Sequence, residues 1–324
     1  MKRLYLMVSV LLLVSILGCA KANEKLLLIF SYHPEYSWVI EETRGVEEIL
    51  RNKGMEIKKF YLDTKRKTNS QWWKEVAEDA VKRIEEFKPN LVIVFDDNAC
   101  ELVAKEYIGK TLPFVFCSMN GDPEDYGFPA ENITGVIERA RVKESIELLK
   151  QLVPDVKRVA IITDNSPTSR GFVTRVKKTT LPLEMYELYM TDDFDTWKAK
   201  VEELQSKVDA IGLFLYHTIK EKGGEISLPA EDVLKWTLKN NKLPEFVPVD
   251  FVVKDGALCG VTLSGYEQGK AAAEMALTIL AGVTPVNIPI KCSEKNNPIV
   301  NETRAKELNI RIPEDIRKKV EIVY

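Results

Sequence analysis

Residues 25–62, KLLLIFSYHPEYSWVIEETRGVEEILRNKGMEIKKFYL, decide the fold. Leu26 to Ser31 is a short β-prone run. After it, Val39, Val46, Ile49 and Leu50 recur at helical spacing, which predicts a helix over Ile40 to Asn52 with Gly54 as its stop. Ile57 to Leu62 is then a second strand. A strand, a helix and a strand in that order predict a parallel pair. The pattern repeats outward through helix Trp72 to Phe87, strand Leu91 to Phe95, helix Ala99 to Tyr107 and strand Phe114 to Cys117, enough for one open sheet.

After the loop Gly121 to Asn132 the alternation restarts with Ile133 to Ile137, helix Val142 to Leu152 and the apolar strand Arg158 to Thr163. It runs on through helix Arg170 to Lys178, strand Glu184 to Tyr189, helix Phe194 to Lys207, strand Ala210 to Leu215, helix Glu231 to Asn240 and strand Phe246 to Asp250. Gly256 to Val261, Gly265 to Gly269 and helix Lys270 to Leu280 read as a return to the first lobe. Ile288 to Cys292, Asn297 to Asn301 and Glu302 to Leu308 are expected to finish on the second. The fold class is therefore α/β, two doubly wound parallel-sheet lobes joined by a multi-crossing hinge. Residues 25–138 plus 262–284 form lobe 1, and 139–261 plus 285–324 form lobe 2. With no Gly/Ser-rich joint, the lobes are expected to move as hinged rigid bodies around a cleft.

Composition removes other classes. A formal net charge of -3, with 46 Lys+Arg against 49 Asp+Glu, offers no basic stripe for nucleic acid. The sequence has no G-x-S-x-G, H-E-x-x-H, G-x-x-x-x-G-K-[ST] or G-x-G-x-x-G, so neither an enzyme nor a cofactor is expected. Only His33 and His217 are available as imidazoles and the cysteines lack a C-x-x-C, which argues against a metal site. Whether Cys100, Cys117, Cys259 and Cys292 pair or stay free thiols is open.

Lys2 and Arg3 followed by the apolar run Leu4 to Leu17 read as an export signal over residues 1–18. Ser15-Ile16-Leu17-Gly18-Cys19 resembles the lipobox of bacterial lipoproteins, which implies lipidation at Cys19, a linker over 19–24 and a membrane-anchored, extracytoplasmic chain, periplasmic or on the cell surface.

The chain resembles the substrate-binding proteins of ABC transporters with a type I periplasmic-binding-protein fold. The resemblance is carried by Asn132-Ile133-Thr134-Gly135-Val136, Glu147 to Lys150 with Val153-Pro154, Tyr266-Glu267-Gln268-Gly269, Ile279 to Gly282 and Asn301 to Ile310. It implies a monomer that captures a small molecule, an amino acid or heteroaromatic compound, and presents it to an ABC permease. The first lobe, through Ser31 to Trp38, Leu62 to Arg66 and Asp96 to Ala99, is similar to members fused to signalling proteins. That similarity implies an alternative, a ligand-binding component for a separate histidine kinase or cyclase.

Ligands of open α/β sheets sit beyond the carboxyl ends of the strands, which selects the candidate contacts. Tyr32 and His33 end strand one, and Tyr36 and Trp38 follow in the loop leading into the helix, either lining the cleft or packing beneath the loop. Asp97 or Asn98 reads as the cap of the next helix. Its free N–H groups suit a carboxylate, whereas Asp97 suits a ligand ammonium. Asn120 follows strand four. Asn165 and Ser166 contact the ligand or cap their helix, and Tyr216 and Asp250 close from the second lobe. Tyr266, with Gln268, touches the ligand or holds the last crossing.

Overall fold

In the computed structural model the structure describes residues 24–292 and 297–324. The export signal and Cys19 lie outside the described residues. The first run is β1 (Lys25–Phe30), α1 (Ser37–Leu50), β2 (Glu56–Tyr61), α2 (Ser70–Phe87), β3 (Leu91–Phe95), α3 (Asp96–Leu102), β4 (Phe114–Met119) and β5 (Ile133–Ile137). The second is α4 (Val142–Leu152), β6 (Arg158–Thr163), α5 (Pro167–Lys177), β7 (Glu184–Met190), α6 (Phe194–Leu204), β8 (Ala210–Leu213), α7 (Ala230–Asn240), β9 (Glu245–Phe246), α8 (Asp250–Lys254) and β10 (Cys259–Thr262). There follow α9 (Gly265–Leu280), β11 (Lys291–Cys292), β12 (Asn297–Asn301), α10 (Glu302–Glu307), α11 (Glu314–Arg317) and β13 (Glu321–Val323).

A six-stranded sheet runs β2-β1-β3-β4-β5-β11, and a seven-stranded sheet runs β7-β6-β8-β9-β10-β12-β13. Strands pair in parallel except β12, which is antiparallel to β10. β1, β3 and β4 are apolar along nearly their whole length because helices cover both faces of the sheet. α1 and α9 pack closely on one face. Gly45 makes this possible, since a Cβ there would fall 2.0 Å from the Tyr266 carbonyl oxygen.

Several expectations shift. The chain returns to lobe 2 after β11 rather than at residue 285, because Lys291 and Cys292 pair with Val136 and Ile137 and cover the otherwise bare edge of β5. Thr134 Oγ1 fixes the same segment by donating to the Ile288 carbonyl. α1 begins at Ser37, so Trp38 is in the helix, not in the loop before it. β9 ends at Phe246, and Asp250 opens α8 instead of ending a strand. Cys100, Cys117 and Cys259 are buried free thiols.

The lobes are closed on one another. Tyr32 and Thr168 hydroxyls meet at 2.8 Å across the cleft. Ser227 of lobe 2 donates its hydroxyl to the Lys65 carbonyl at 2.7 Å and its N–H to the Arg66 carbonyl at 3.2 Å. On the opposite side Arg175 of α5 and Lys178 just after it both reach Asp122 in the loop after β4.

Candidate functional site

Each sheet reverses its strand order once, between β1 and β3 in lobe 1 and between β6 and β8 in lobe 2, and such reversals open a crevice at the strand ends. The two crevices face each other. In lobe 1, Ser31 Oγ donates to the Phe95 carbonyl and accepts the Ala99 N–H, tying the end of β1 to the start of α3. In lobe 2, Asp164 accepts the backbone N–H of His217 at 2.9 Å and the hydroxyls of Ser166 and Ser169.

Between them lies a small cavity of about 20 Å³, lined by Tyr32, Tyr36, Lys65, Asp96, Glu138 and Phe251 among others. Lys65 is 2% exposed, and its Nζ has no hydrogen-bond partner. It sits 4.2 Å from the centre of the Tyr32 ring and 5.3 Å from that of Tyr36, within cation–π range. Burial pulls the ammonium below the ordinary lysine value, and Asp164 and Asp96 pull it back.

The anionic side is equally unusual. Asp96 is 2% exposed, its Oδ2 is also without a partner, and its backbone stands at φ +63°, a region that non-glycine residues rarely occupy. Burial, then Glu42 and Glu138, push its carboxyl well above the usual range. Burial pushes Glu138 up to about 8, although Asn120 Nδ2 donates to it at 3.1 Å. Burial likewise raises Glu42, whose Oε1 accepts the Ser118 hydroxyl at 2.5 Å. Asp164 goes the other way. Burial alone would raise it, but Lys65 and the Ser169 and Ser166 hydroxyls hold it below the usual range.

Two larger chambers share Lys65 with this cavity. One of about 700 Å³ carries a ring cluster in which Tyr36 meets His217 at 4.9 Å and Phe251 at 5.5 Å between centroids, while Tyr216 stacks on His217 at 4.7 Å. The other, of about 260 Å³, is polar and lies between the β2–α2 loop and the start of α5.

Of the sequence candidates, Tyr32 and Trp38 line the central cavity, His33 and Tyr216 the aromatic chamber, and Tyr32, Asn98, Asn165 and Ser166 the polar one. Ser166 also caps α5 by accepting the Ser169 N–H. Four are otherwise employed. Asp97 caps nothing, since α3 starts at Asp96. Its carboxylate instead takes the Asn120 and Gly121 N–H groups and the Tyr126 hydroxyl, pinning the loop after β4. Asn120 supports Glu138 and opens on a separate groove. Asp250 pairs with Lys254 one turn along α8, and its neighbour Phe251 lines the central cavity instead. Tyr266 bonds to Glu48 under the Arg44 guanidinium, so it braces the α1–α9 seam rather than the cleft.

Lys65, Asp96, Glu138 and Phe251 were missed. The rule that selected Tyr32 and Asn120 also reaches Lys65, three residues past the end of the strand expected at Leu62, and Glu138, which directly follows β5. Phe251 directly follows the strand end expected at Asp250, so the rule reached it too but selected its neighbour.

Comparison with known proteins agrees with this architecture. The tyrosine-binding protein of Clostridioides difficile is 22% identical over 211 residues, covering 62% of this chain and 58% of that one, so the match spans a little over half of that relative. A solved ABC domain in complex with L-Trp from Streptococcus pneumoniae superposes with a TM-score of 0.73 at 20% identity, covering 94% of this chain and 100% of that one. A conserved domain protein from Vibrio cholerae gives 0.74 at 19% identity, with 93% and 100% covered. At these identities the solved structures establish the shared two-lobed fold. Residues 34–323 match the profile of the ABC transporter substrate binding proteins, and the chain belongs to that family.

Proposed function

We propose that the protein is the lipid-anchored, extracytoplasmic solute receptor of an ABC importer, and that it captures an amino acid with an aromatic or heteroaromatic side chain by closing its lobes over it. One observation carries the reading. Lys65 Nζ and Asp96 Oδ2 belong to a basic and an acidic group, both buried and both without a hydrogen-bond partner, in one cavity walled by rings. A buried ion without hydrogen bonds costs several kcal/mol, so such a pair signals a partner from outside the chain. An α-carboxylate at Lys65 and an α-ammonium at Asp96 satisfy both at once, while a ring meets Tyr36 and Phe251 edge-on or stacked.

The ligands named for the two relatives, tyrosine and L-Trp, have this chemistry. Closure follows because a ligand touching both lobes binds the closed form better, and only that difference moves the hinge equilibrium. Anchoring and export rest on Lys2 to Cys19, and the permease as partner rests on the family. Native mass spectrometry of the gently purified protein, then denatured, tests the ligand class: a released aromatic amino acid in stoichiometric amount supports it, and a released sugar overturns it.

A further inference from the structure

The polar chamber of about 260 Å³ holds three cations, Lys65, Arg170 and Lys220, against one acid, Asp192. Asp192 Oδ1 is engaged by the Asn165 N–H at 2.8 Å and the Thr218 hydroxyl at 2.6 Å, so it is already supplied with donors. The cations are not matched in this way. Among the described residues Lys65 Nζ has no hydrogen-bond partner, and the Arg170 guanidinium reaches only the Asn165 carbonyl through Nη1.

Neutral donors point the same way. Asn98 is 3% exposed and lines the chamber, and its side-chain amide makes no hydrogen bond among the described residues. The Thr68 hydroxyl is a buried atom without a partner in the same wall. A buried hydroxyl left unpaired costs free energy, and the cations around it favour an acceptor carrying negative charge. The aromatic chamber lacks this bias, since Glu35, Glu231 and Asp255 there balance Lys65, Arg66 and Lys235. Lobe 1 supplies Lys65, Thr68 and Asn98 and lobe 2 supplies Arg170 and Lys220, so a group held here also ties the lobes together.

We propose that this chamber is an oxyanion subsite in which Asn98, Arg170 and Lys220 select ligands that carry a carboxylate or phosphate. The inference rests on the amino-acid reading for the orientation it assigns: the ligand's acidic group enters the polar chamber past Lys65, and its ring turns toward Tyr36 and Phe251. The oxyanion chemistry is the same whether the group belongs to the ligand or is free phosphate.

Two probes on the purified full-length chain separate these cases. Calorimetric titration compares L-tryptophan with tryptamine, which lacks the carboxylate, in wild type, Asn98→Leu and the double variant Arg170→Gln/Lys220→Gln. Each variant is expected to weaken L-tryptophan about tenfold and to leave tryptamine unchanged. Equal weakening of both compounds, or of neither, overturns the subsite while leaving the amino-acid reading intact.

Inorganic phosphate, matched in ionic strength by chloride, tests the subsite even if wild type binds neither amine. Saturable thermal stabilisation that the double variant loses supports it. The absence of such stabilisation, together with no loss on removing the carboxylate, overturns it. Wild type binding phosphate but neither amine would overturn the amino-acid reading alone. Circular dichroism of each variant confirms that the fold is retained.

Discussion

Replacing Glu138 by glutamine should flatten the pH dependence of stability. Glu138 follows β5 at the first crossing between lobes and is 6% exposed. Burial raises its carboxyl from the ordinary 4.5 to about 8. A raised folded-state value means that the folded chain holds a proton which the unfolded chain releases, so the stabilisation is complete below 4.5 and is lost as pH rises through about 8. The shift converts to a ceiling of about 5 kcal/mol. Asp96 and Glu42 compete for protons in the same cluster, and removing Glu138 eases their ionisation, so the expected differential is nearer ~2 kcal/mol. Glutamine keeps an oxygen for Asn120 and carries no ionisable proton. Urea denaturation of the ligand-free wild type and of Glu138→Gln at about pH 5 and about pH 8 reads the difference. His33 and His217, which burial pulls below the ordinary histidine value, titrate in both proteins and cancel. Wild type should lose stability relative to the variant as pH rises. Parallel slopes would refute the claim that Glu138 is protonated at neutral pH.

Arg175→Gln breaks the Asp122 latch without touching the ligand chambers, so it should weaken all closing ligands by a common factor. The groups are about one-third exposed, and the loss is of order 1 kcal/mol or about fivefold, shrinking as salt is added, by titration calorimetry in low and high salt. Gly45→Ala drives a methyl into the Tyr266 carbonyl between two backbones that cannot yield, and should cost about 3 kcal/mol or prevent folding, read by thermal denaturation. Asp97→Ala orphans buried donors from Asn120 and Gly121, and should destabilise by about 3 kcal/mol in the same assay rather than act as a simple loss of ligand contact.

The fold was legible because its strands are short, apolar and regularly separated by amphipathic segments: β1 to β8 and the longer helices fall where the alternation puts them. It failed at places decided by long-range pairing. β11 is two residues that mean nothing alone and take their place only because β5 needs an edge partner. Strand ends pointed to Tyr32, Asn98 and Ser166, which line the polar chamber, since the carboxyl-end rule is a property of winding. The same rule does not say which side chain at a strand end turns inward. Asp96 and Asp97 are adjacent, yet the positive φ of Asp96 sends one carboxylate into the cavity and the other to the loop after β4. Lys65 escaped notice because a lysine beyond a strand ordinarily reaches solvent, and only closure of lobe 2 through Ser227 buries it.

The central claim is that Lys65 awaits the acidic end of an aromatic amino acid. Titration of L-tryptophan and L-tyrosine into wild type and Lys65→Met, with stability followed in parallel, tests it most directly. Losing a buried charge-assisted hydrogen bond should cost about 1.5–3 kcal/mol, or roughly 10- to 150-fold in affinity. Wild type binding one of the two amino acids one-to-one, with Lys65→Met weakened to that extent, is the predicted result. Undiminished binding by Lys65→Met, or no binding of either compound by wild type, would contradict it.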